Sequence, residues 1–311
     1  MIKLIKPKFW DSKTINFFSI LLSPLTLITM ILIFFKKKIS KEKAFEIPII
    51  CVGNIYIGGT SKTPTSILLS KELLILGFKP VIIRKFYANH EDEYKQIRNN
   101  FNNLIVGKDR GISIIKAQQR GNNVIILDDG FQDHKIKKDL NIICFNQNQL
   151  VGNGLILPAG PLRENLSSLL NANIVLINGK KDQDFEEKIL KINKNLEIYY
   201  SEYKPININE FKNHKLLALA GIANPENFFM LLEKNNLKVE KKLVFPDHYK
   251  FSKKELQNIV NIAKENNLKI ITTEKDFFKI TDFDYKEINY LKVSLELQEK
   301  KKFFNKIKSF L

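Results

Sequence analysis

Cysteine and histidine are scarce in this chain, with two and four copies among 311 residues. Two cysteines exclude a disulfide framework, and neither Cys51 nor Cys144 has a neighbour at metal-ligand spacing. Both sit in apolar runs and are expected as buried thiols of a reducing compartment. Acidic residues are also in deficit, 33 against 50 lysines and arginines, for a formal charge of +17. That excess points either to an anionic surface or ligand or to lysine-rich solvated faces. No recognisable nucleic-acid module or aromatic-basic interleaving accompanies it, so charge alone does not argue for nucleic acid. What is present is a hydrophobic content of 44%, enough for a sizeable core, and a length that favours two domains.

Charge is missing altogether from Ile15 to Phe35, "INFFSILLSPLTLITMILIFF". As a helix this run extends ~31 Å, about the thickness of a bilayer core. Pro24 kinks such a helix without forbidding it in lipid. Lysines flank it at Lys13 and from Lys36 in "KKKISKEK", which suits acidic headgroups and leaves no small-residue cleavage site. Lysines on both sides fit a hairpin or in-plane anchor as well as a span. A buried core helix is the competing reading; membrane attachment, with the body of the protein in the cytoplasm, is the expectation.

Short β-branched runs then alternate with helical patterns. Strands are expected at Ile47–Val52, Lys79–Arg84, Asn122–Asp129, Asn141–Phe145 and Asn173–Gly179, with helices after Pro64 and over Gly111–Arg120. A second unit begins near residue 206, with strands at Lys215–Ile222, Leu268–Asp276 and Tyr290–Leu297. The polar, weakly periodic stretch from about Tyr200 to Asn213 marks the boundary. The expected fold class is α/β: a mostly parallel sheet of the P-loop NTPase type with helices on both faces, a smaller α/β C-terminal domain and an N-terminal membrane-associated helix. The expected divisions are 1–40 for the anchoring helix and its basic flank, 41–205 for the P-loop domain, and 206–311 for the C-terminal domain.

Between the first strand and first helix lies "GNIYIGGTSKTP", residues 53–64. Gly58 and Gly59 supply a permissive backbone, Thr60 and Ser61 continue the turn, Lys62 supplies a point charge, and Thr63 a hydroxyl for Mg²⁺. The phosphate-loop pattern asks for Gly where Tyr56 and Ser61 stand, so an ordinary strand–turn–helix remains open on this segment alone. "VIILDDG" places Asp128 and Asp129 at the end of an apolar strand, where a carboxylate meets Mg²⁺ beside bound phosphates. Together, in this order, the two segments favour a phosphate-loop nucleotidase or kinase.

"GNxxxGGTxKTP" at Gly53–Pro64, "DDGFQ" at Asp128–Gln132, "GNGLILPAGPLRE" at Gly152–Glu164, "AGIANPENFF" at Ala220–Phe229, "FPDHYKF" at Phe245–Phe251 and "TTEKD" at Thr272–Asp276 occur in sequence. In these motifs and their order, over nearly the whole chain from Pro7 to about Lys279, the sequence resembles the tetraacyldisaccharide 4'-kinase (lipid A 4'-kinase) family. The resemblance implies two α/β domains with a substrate cleft between them and an N-terminal helix on the bacterial inner membrane, cytoplasmic side. It also accounts for the absent glycine at Tyr56, which the family's loop lacks too.

The same resemblance implies ATP and Mg²⁺ as cofactors, with Lys62 at the β- and γ-phosphates and Thr63, Asp128 and Asp129 at the metal. Gln132 and Glu164 stand as further polar groups near it, and Arg163 as a neutraliser of phosphate charge. It makes Asp92, in "EDEY", the base for a sugar hydroxyl, paired with His248 of the "DH" motif when the domains close. His90, His134 and His214 read as surface residues. The expected partners are a membrane-embedded glycolipid substrate and the acidic lipid surface, with no nucleic acid and no obligate protein partner. Three departures from the family stand out: Ser61 for Gly, Asp133 where many members carry His, and a shortened segment before Asp92.

The alternative is a membrane-tethered, GTPase-like nucleotide switch acting through partner binding. "INGKKD" at Ile177–Asp182 resembles the guanine-reading N-K-x-D, but an extra residue separates Asn178 from the Lys–Asp pair.

Overall fold

The structure is a computed structural model describing residues 6–12, 14–247, 249–283 and 285–311, with the backbone alone for Asp282. Its elements in chain order begin with α1 (Phe17–Ile39), β1 (Ile49–Gly53), α2 (Lys62–Ile75), β2 (Pro80–Lys85), α3 (Glu91–Asn100), β3 (Leu104–Gly107) and α4 (Arg110–Gln119). They continue through β4 (Val124–Asp128), β5 (Leu140–Asn146), β6 (Ile174–Asn178), α5 (Gln183–Ile192), β7 (Glu197–Pro205) and β8 (Lys215–Ala220). The last are α6 (Pro225–Lys234), β9 (Lys238–Val244), α7 (Lys253–Glu265), β10 (Lys269–Thr273), α8 (Glu274–Ile280), β11 (Ile288–Leu291), β12 (Val293–Leu297) and α9 (Lys300–Lys308).

Among the described residues the strands form an eight-stranded sheet, ordered β12-β7-β6-β5-β1-β4-β2-β3, and a four-stranded sheet, ordered β11-β10-β8-β9. Neighbours from β7 through β3 run parallel, as do all pairs of the smaller sheet. The expected mostly parallel α/β fold is therefore the observed one. Parallel strands covered on both faces read as unbroken apolar runs, and β1 and β4 are buried at every residue.

By packing, the chain divides into two compact units. One comprises residues 6–86, 101–202 and 295–311; the other residues 87–100 and 203–294. Helix α3 therefore groups with the C-terminal sheet, although it lies between two strands of the larger one. In the smaller unit the pleat sorts the core. Leu216, Ala218 and Ala220 of β8 meet Phe228, Phe229 and Leu232 of α6, while Leu217 and Leu219 meet Leu256, Ile259 and Val260 of α7.

Some elements differ from the sequence expectation. The polar stretch after Tyr200 continues strand β7 as far as Pro205. The run Tyr290–Leu297 is split into β11 and β12, which lie in different sheets. Strand β9 escaped notice because it is an edge strand with mostly exposed residues, "KVEKKLV", and so lacks an apolar run.

Helix α1 spans 23 residues, about 34 Å, with Asn16 capping it by accepting from Ser19 N. It is the one helix among the described residues long and apolar enough to cross a membrane. Its apolar side chains are mostly outside, including Phe17, Phe18, Leu21, Leu25, Ile28, Leu32 and Phe35. The face against the protein is its polar one. Ser19 and Thr26 are buried, seven residues apart, and Ile33 packs on the core one heptad further on. Asn153 Nδ2 donates to Ser19 Oγ at 3.0 Å; Thr26 Oγ1 donates to Ile156 O and accepts from Ala159 N, both at 3.1 Å.

The loop that receives α1 is held tightly. Asn153 N donates to Trp10 O at 2.9 Å, and Gly152 has φ +57°, where a Cβ would also strike that carbonyl. Replacing Thr26 by Val removes the hydroxyl and leaves the Ala159 N–H without a partner beneath the helix. The expected loss of stability is about 1–3 kcal/mol in equilibrium denaturation.

Candidate functional site

Strand β1 ends at Gly53 and α2 begins at Lys62, so the intervening loop crosses the carboxyl edge of the larger sheet. A Cβ at Gly53 would overlap Phe131, which fixes glycine there by close approach of the 128–132 turn. Asn54 is fully buried and braces the loop from within, its Nδ2 donating to Tyr56 O at 2.6 Å and Thr60 Oγ1 at 2.9 Å. Gln132 supports the same turn, its Nε2 donating to Asn54 O at 2.8 Å.

Ser61, the residue in the usual glycine position, is the N-cap of α2 at φ 69°, ψ 17°. This is the left-handed region, which costs an L-residue roughly 1–2 kcal/mol. Its side chain makes no capping hydrogen bond, so the hydroxyl does not compensate locally. The loop thus keeps the backbone that glycine normally provides. Gly58, at φ 112°, supplies a second left-handed turn.

Asp128, at the end of β4, is fully buried. It is ion-paired with Arg84 from the neighbouring strand β2, and it accepts from Thr63 Oγ1 at 3.0 Å and Ser66 Oγ at 3.2 Å. Arg84 also donates to Thr63 Oγ1 at 3.0 Å. A buried carboxylate needs such partners, since removing one side of a buried pair leaves an uncompensated charge.

Asp129 lies next to it at φ 58°. Lys62 Nζ is 3.5 Å from its Oδ1, and Arg163 donates to its two oxygens at 3.0 and 3.2 Å. Burial works to raise the pKa of this carboxyl, but Lys62, Arg163 and Arg84 outweigh it and hold it well below the usual range. Burial pulls the Lys62 ammonium down from its ordinary value, against the opposing attraction of Asp129. An incoming polyphosphate would favour the charged form further.

Lys62, Thr63, Asp128, Asp129 and Arg163 thus converge at one edge of the sheet, beside the loop carrying Gly58, Gly59, Thr60 and Ser61. Glu164, which follows Arg163 in the chain, is buried, with Lys37 Nζ at 2.6 Å and His134 Nε2 at 3.7 Å. His134 is accordingly half-buried beside a carboxylate rather than a simple surface residue, and His90 pairs with Glu93 at 3.0 Å. His214 is exposed. Asp133 binds Arg110 at 3.0 Å, and Arg110 also donates to Asp129 O at 2.7 Å.

Asp92 is in the other unit, buried in the first turn of α3, with Lys279 Nζ at 3.7 Å and Lys275 Nζ at 3.9 Å from its Oδ2. His248 lies outside the described residues. The sequence reading missed Arg84, Arg110 and Asn54. An arginine closing the apolar run "VIIR" was the one visible sign for Arg84. In "INGKKD", Asp182 is occupied as the N-cap of α5, accepting from Phe185 N at 3.0 Å.

A phosphate-loop α/β protein is the class that this sheet, loop and charged edge define. The comparisons with known proteins narrow it. Residues 18–311 match the family model described as tetraacyldisaccharide-1-P 4'-kinase. A tetraacyldisaccharide 4'-kinase of Pelagibacter ubique is 42% identical over 98% of this chain and 98% of its own; that of Rickettsia typhi is 34% identical over 96% and 95%. A crystal structure of the apo form of LpxK from Aquifex aeolicus, in complex with ATP, has the same fold. Its TM-score is 0.71 at 23% identity, covering 94% of this chain and 99% of that one.

The chain belongs to the tetraacyldisaccharide 4'-kinase family and is a kinase. The switch reading is not favoured.

The left-handed Ser61 makes a direct prediction. Ser61→Gly relieves steric strain at some entropic expense in the unfolded chain, so stability should rise by up to about 1 kcal/mol. Chemical denaturation checks this, and a drop in stability would show that the hydroxyl has a structural use.

Proposed function

We propose that this protein transfers the γ-phosphoryl group of ATP to the 4'-hydroxyl of a tetraacylated glucosamine disaccharide 1-phosphate, a step of lipid A biosynthesis. The observation that carries the reading is the convergence of Lys62, Thr63, Asp128, Asp129 and Arg163 beside a left-handed loop and a helix N-terminus. Backbone N–H groups at that helix start, with the Lys62 ammonium, would hold the β- and γ-phosphates. Arg163, already on Asp129, would neutralise charge that builds on the transferred group.

The donor set also fits Mg²⁺. This ion takes one or two carboxylates and substrate phosphates rather than an all-protein cage, and no three His, Cys, Asp or Glu side chains cluster as one among the described residues. Thr63, Asp128 and Asp129 would hold it, and it would neutralise and orient the phosphate oxygens. Gln132 would act through the loop it supports. Glu164, held by Lys37, would be a further polar group near the ion.

In the transfer, the acceptor oxygen bonds to the γ-phosphorus as the bond from that phosphorus to the β,γ-bridging oxygen breaks. ADP leaves, and Asp92 takes the hydroxyl proton. His248 stays proposed as the partner of Asp92 on the strength of the sequence resemblance.

Incubation with γ-labelled ATP and the tetraacyl disaccharide 1-phosphate should yield a bisphosphorylated lipid. Lys62→Ala should lower the rate by on the order of 10³-fold while the protein still folds, as its circular dichroism would show. Turnover retained by that variant would remove the phosphate-loop assignment.

We further propose attachment to the acidic cytoplasmic face of the inner membrane through α1. Its outward apolar side chains and the exposed Lys36 and Lys38 at its end favour a helix lying in the headgroup plane, since the other face is docked on the protein. The protein should float with vesicles containing acidic lipid, less so at high salt or as Lys36→Gln/Lys38→Gln. Equal flotation with neutral vesicles would count against the electrostatic component.

A further inference from the structure

Asp92 is a buried carboxylate whose surroundings are built by the motif "TEKDFFK", Thr273 to Lys279. Lys279 and Asp276 are one helical turn apart on α8, and Lys279 Nζ donates to Asp276 Oδ1 at 2.7 Å. Asp276 is itself fully buried, accepting from Gly221 N and Thr273 Oγ1, each at 2.8 Å. Lys279 Nζ also donates to Gly221 O at 2.8 Å. The ammonium is therefore fixed at the end of β8 by a carboxylate and a carbonyl, and from there it faces Asp92 Oδ2 at 3.7 Å. Its side chain is 8% exposed and that of Asp92 4%.

Lys275 is placed differently. It is 3.9 Å from Asp92 but only 3.1 Å from both Glu93 and Asp247, and it is more exposed. Its charge is shared chiefly with those two carboxylates. Asp92 and Lys279 also line one side of a cavity of about 280 Å³, with Glu91 and Lys95 from α3 and Tyr249 and Lys250 from the loop after β9. An acceptor group in that cavity would meet Asp92 where Lys279 already holds it.

We infer that Lys279, fixed by Asp276, is the positioning residue that keeps the Asp92 carboxylate ionised and correctly aimed while buried. The inference rests on the reading of Asp92 as the base that receives the acceptor proton. A carboxylate moved out of water favours its neutral form unless a cation stands nearby. A protonated Asp92 cannot accept a proton. Among the described residues the charged groups around it include Glu91, Glu93 and Lys95 on its own helix, Lys275, Lys279 and its partner Asp276 on α8, and Asp247 and Lys250 on the loop. Of the two lysines of α8, Lys279 is the nearer to Asp92 and the more deeply buried.

The test uses the full chain in mixed micelles with ATP and the tetraacyl disaccharide 1-phosphate. Lys279→Met should lower kcat about 100-fold at neutral pH with the KM for ATP within about threefold of wild type. Removing the cation disfavours the carboxylate, so the acid limb of the kcat profile should move to higher pH by about one to two units. Lys279→Arg, which keeps the charge, should recover most of the rate and the original limb.

A wild-type kcat in Lys279→Met, or a loss equal at every pH, would overturn the inference. The coupling is also read without activity. Asp92→Asn/Lys279→Met should melt above Lys279→Met alone, because the double variant no longer buries the Asp92 charge beside a lost cation, while Asp276 loses Lys279 equally in both; a double variant no more stable than the single one would equally overturn it. Wild-type turnover in Asp92→Asn would instead remove the base assignment itself, and the melting comparison separates that failure from a failure of Lys279.

Discussion

The ion pair between Asp128 and Arg84 locks the ends of two adjacent strands, and the phosphate-loop edge depends on it. Asp128 is fully buried, so Arg84, Thr63 and Ser66 stand in for solvent. Thr63 and Ser66 belong to the first turns of α2, so the pair also fixes where that helix starts. The start of α2 places Lys62, and Lys62 with Arg163 keeps Asp129 ionised. Burial, helix position and charge state are one arrangement here, each constraining the next.

Much of this was legible because parallel strands buried on both faces leave unmistakable apolar runs. Ile49–Gly53 and Val124–Asp128 announce themselves, and the polar residues that follow them mark the sheet's carboxyl edge. The pairing of Arg84 was not legible, since an arginine ending a strand looks like a solvated boundary. The motif placed Glu164 near the metal but gave no sign of its pairing with Lys37, a residue remote in sequence and joined to it only through folding. The grouping of α3 with the C-terminal sheet was equally hidden, because local patterning says nothing about which core an amphipathic helix joins.

Ser61 shows where pattern and physics part. A glycine pattern describes a preferred backbone, and a serine in the left-handed region satisfies the same geometry at a modest energetic cost. Asp129 does likewise in the turn opposite. Non-glycine residues in this region concentrate where surrounding structure over-determines them. Here Asn54 and Gln132 supply that constraint by hydrogen-bonding the loop from inside.

The docking of α1 through Ser19 and Thr26 has a consequence for how the helix can leave the body. Most buried helices hide an oily face, and separating them exposes apolar surface to water. For α1 the concealed stripe is largely hydroxyl against peptide groups, and water can satisfy those groups almost as well. The seam between anchor and domain is therefore hydrophilic while the outer surface is greasy, an inside-out joint. Parting the two would wet mostly polar atoms, along with Ile33, and break the Lys37–Glu164 pair, so the seam is held more by hydrogen bonds and charge than by apolar burial.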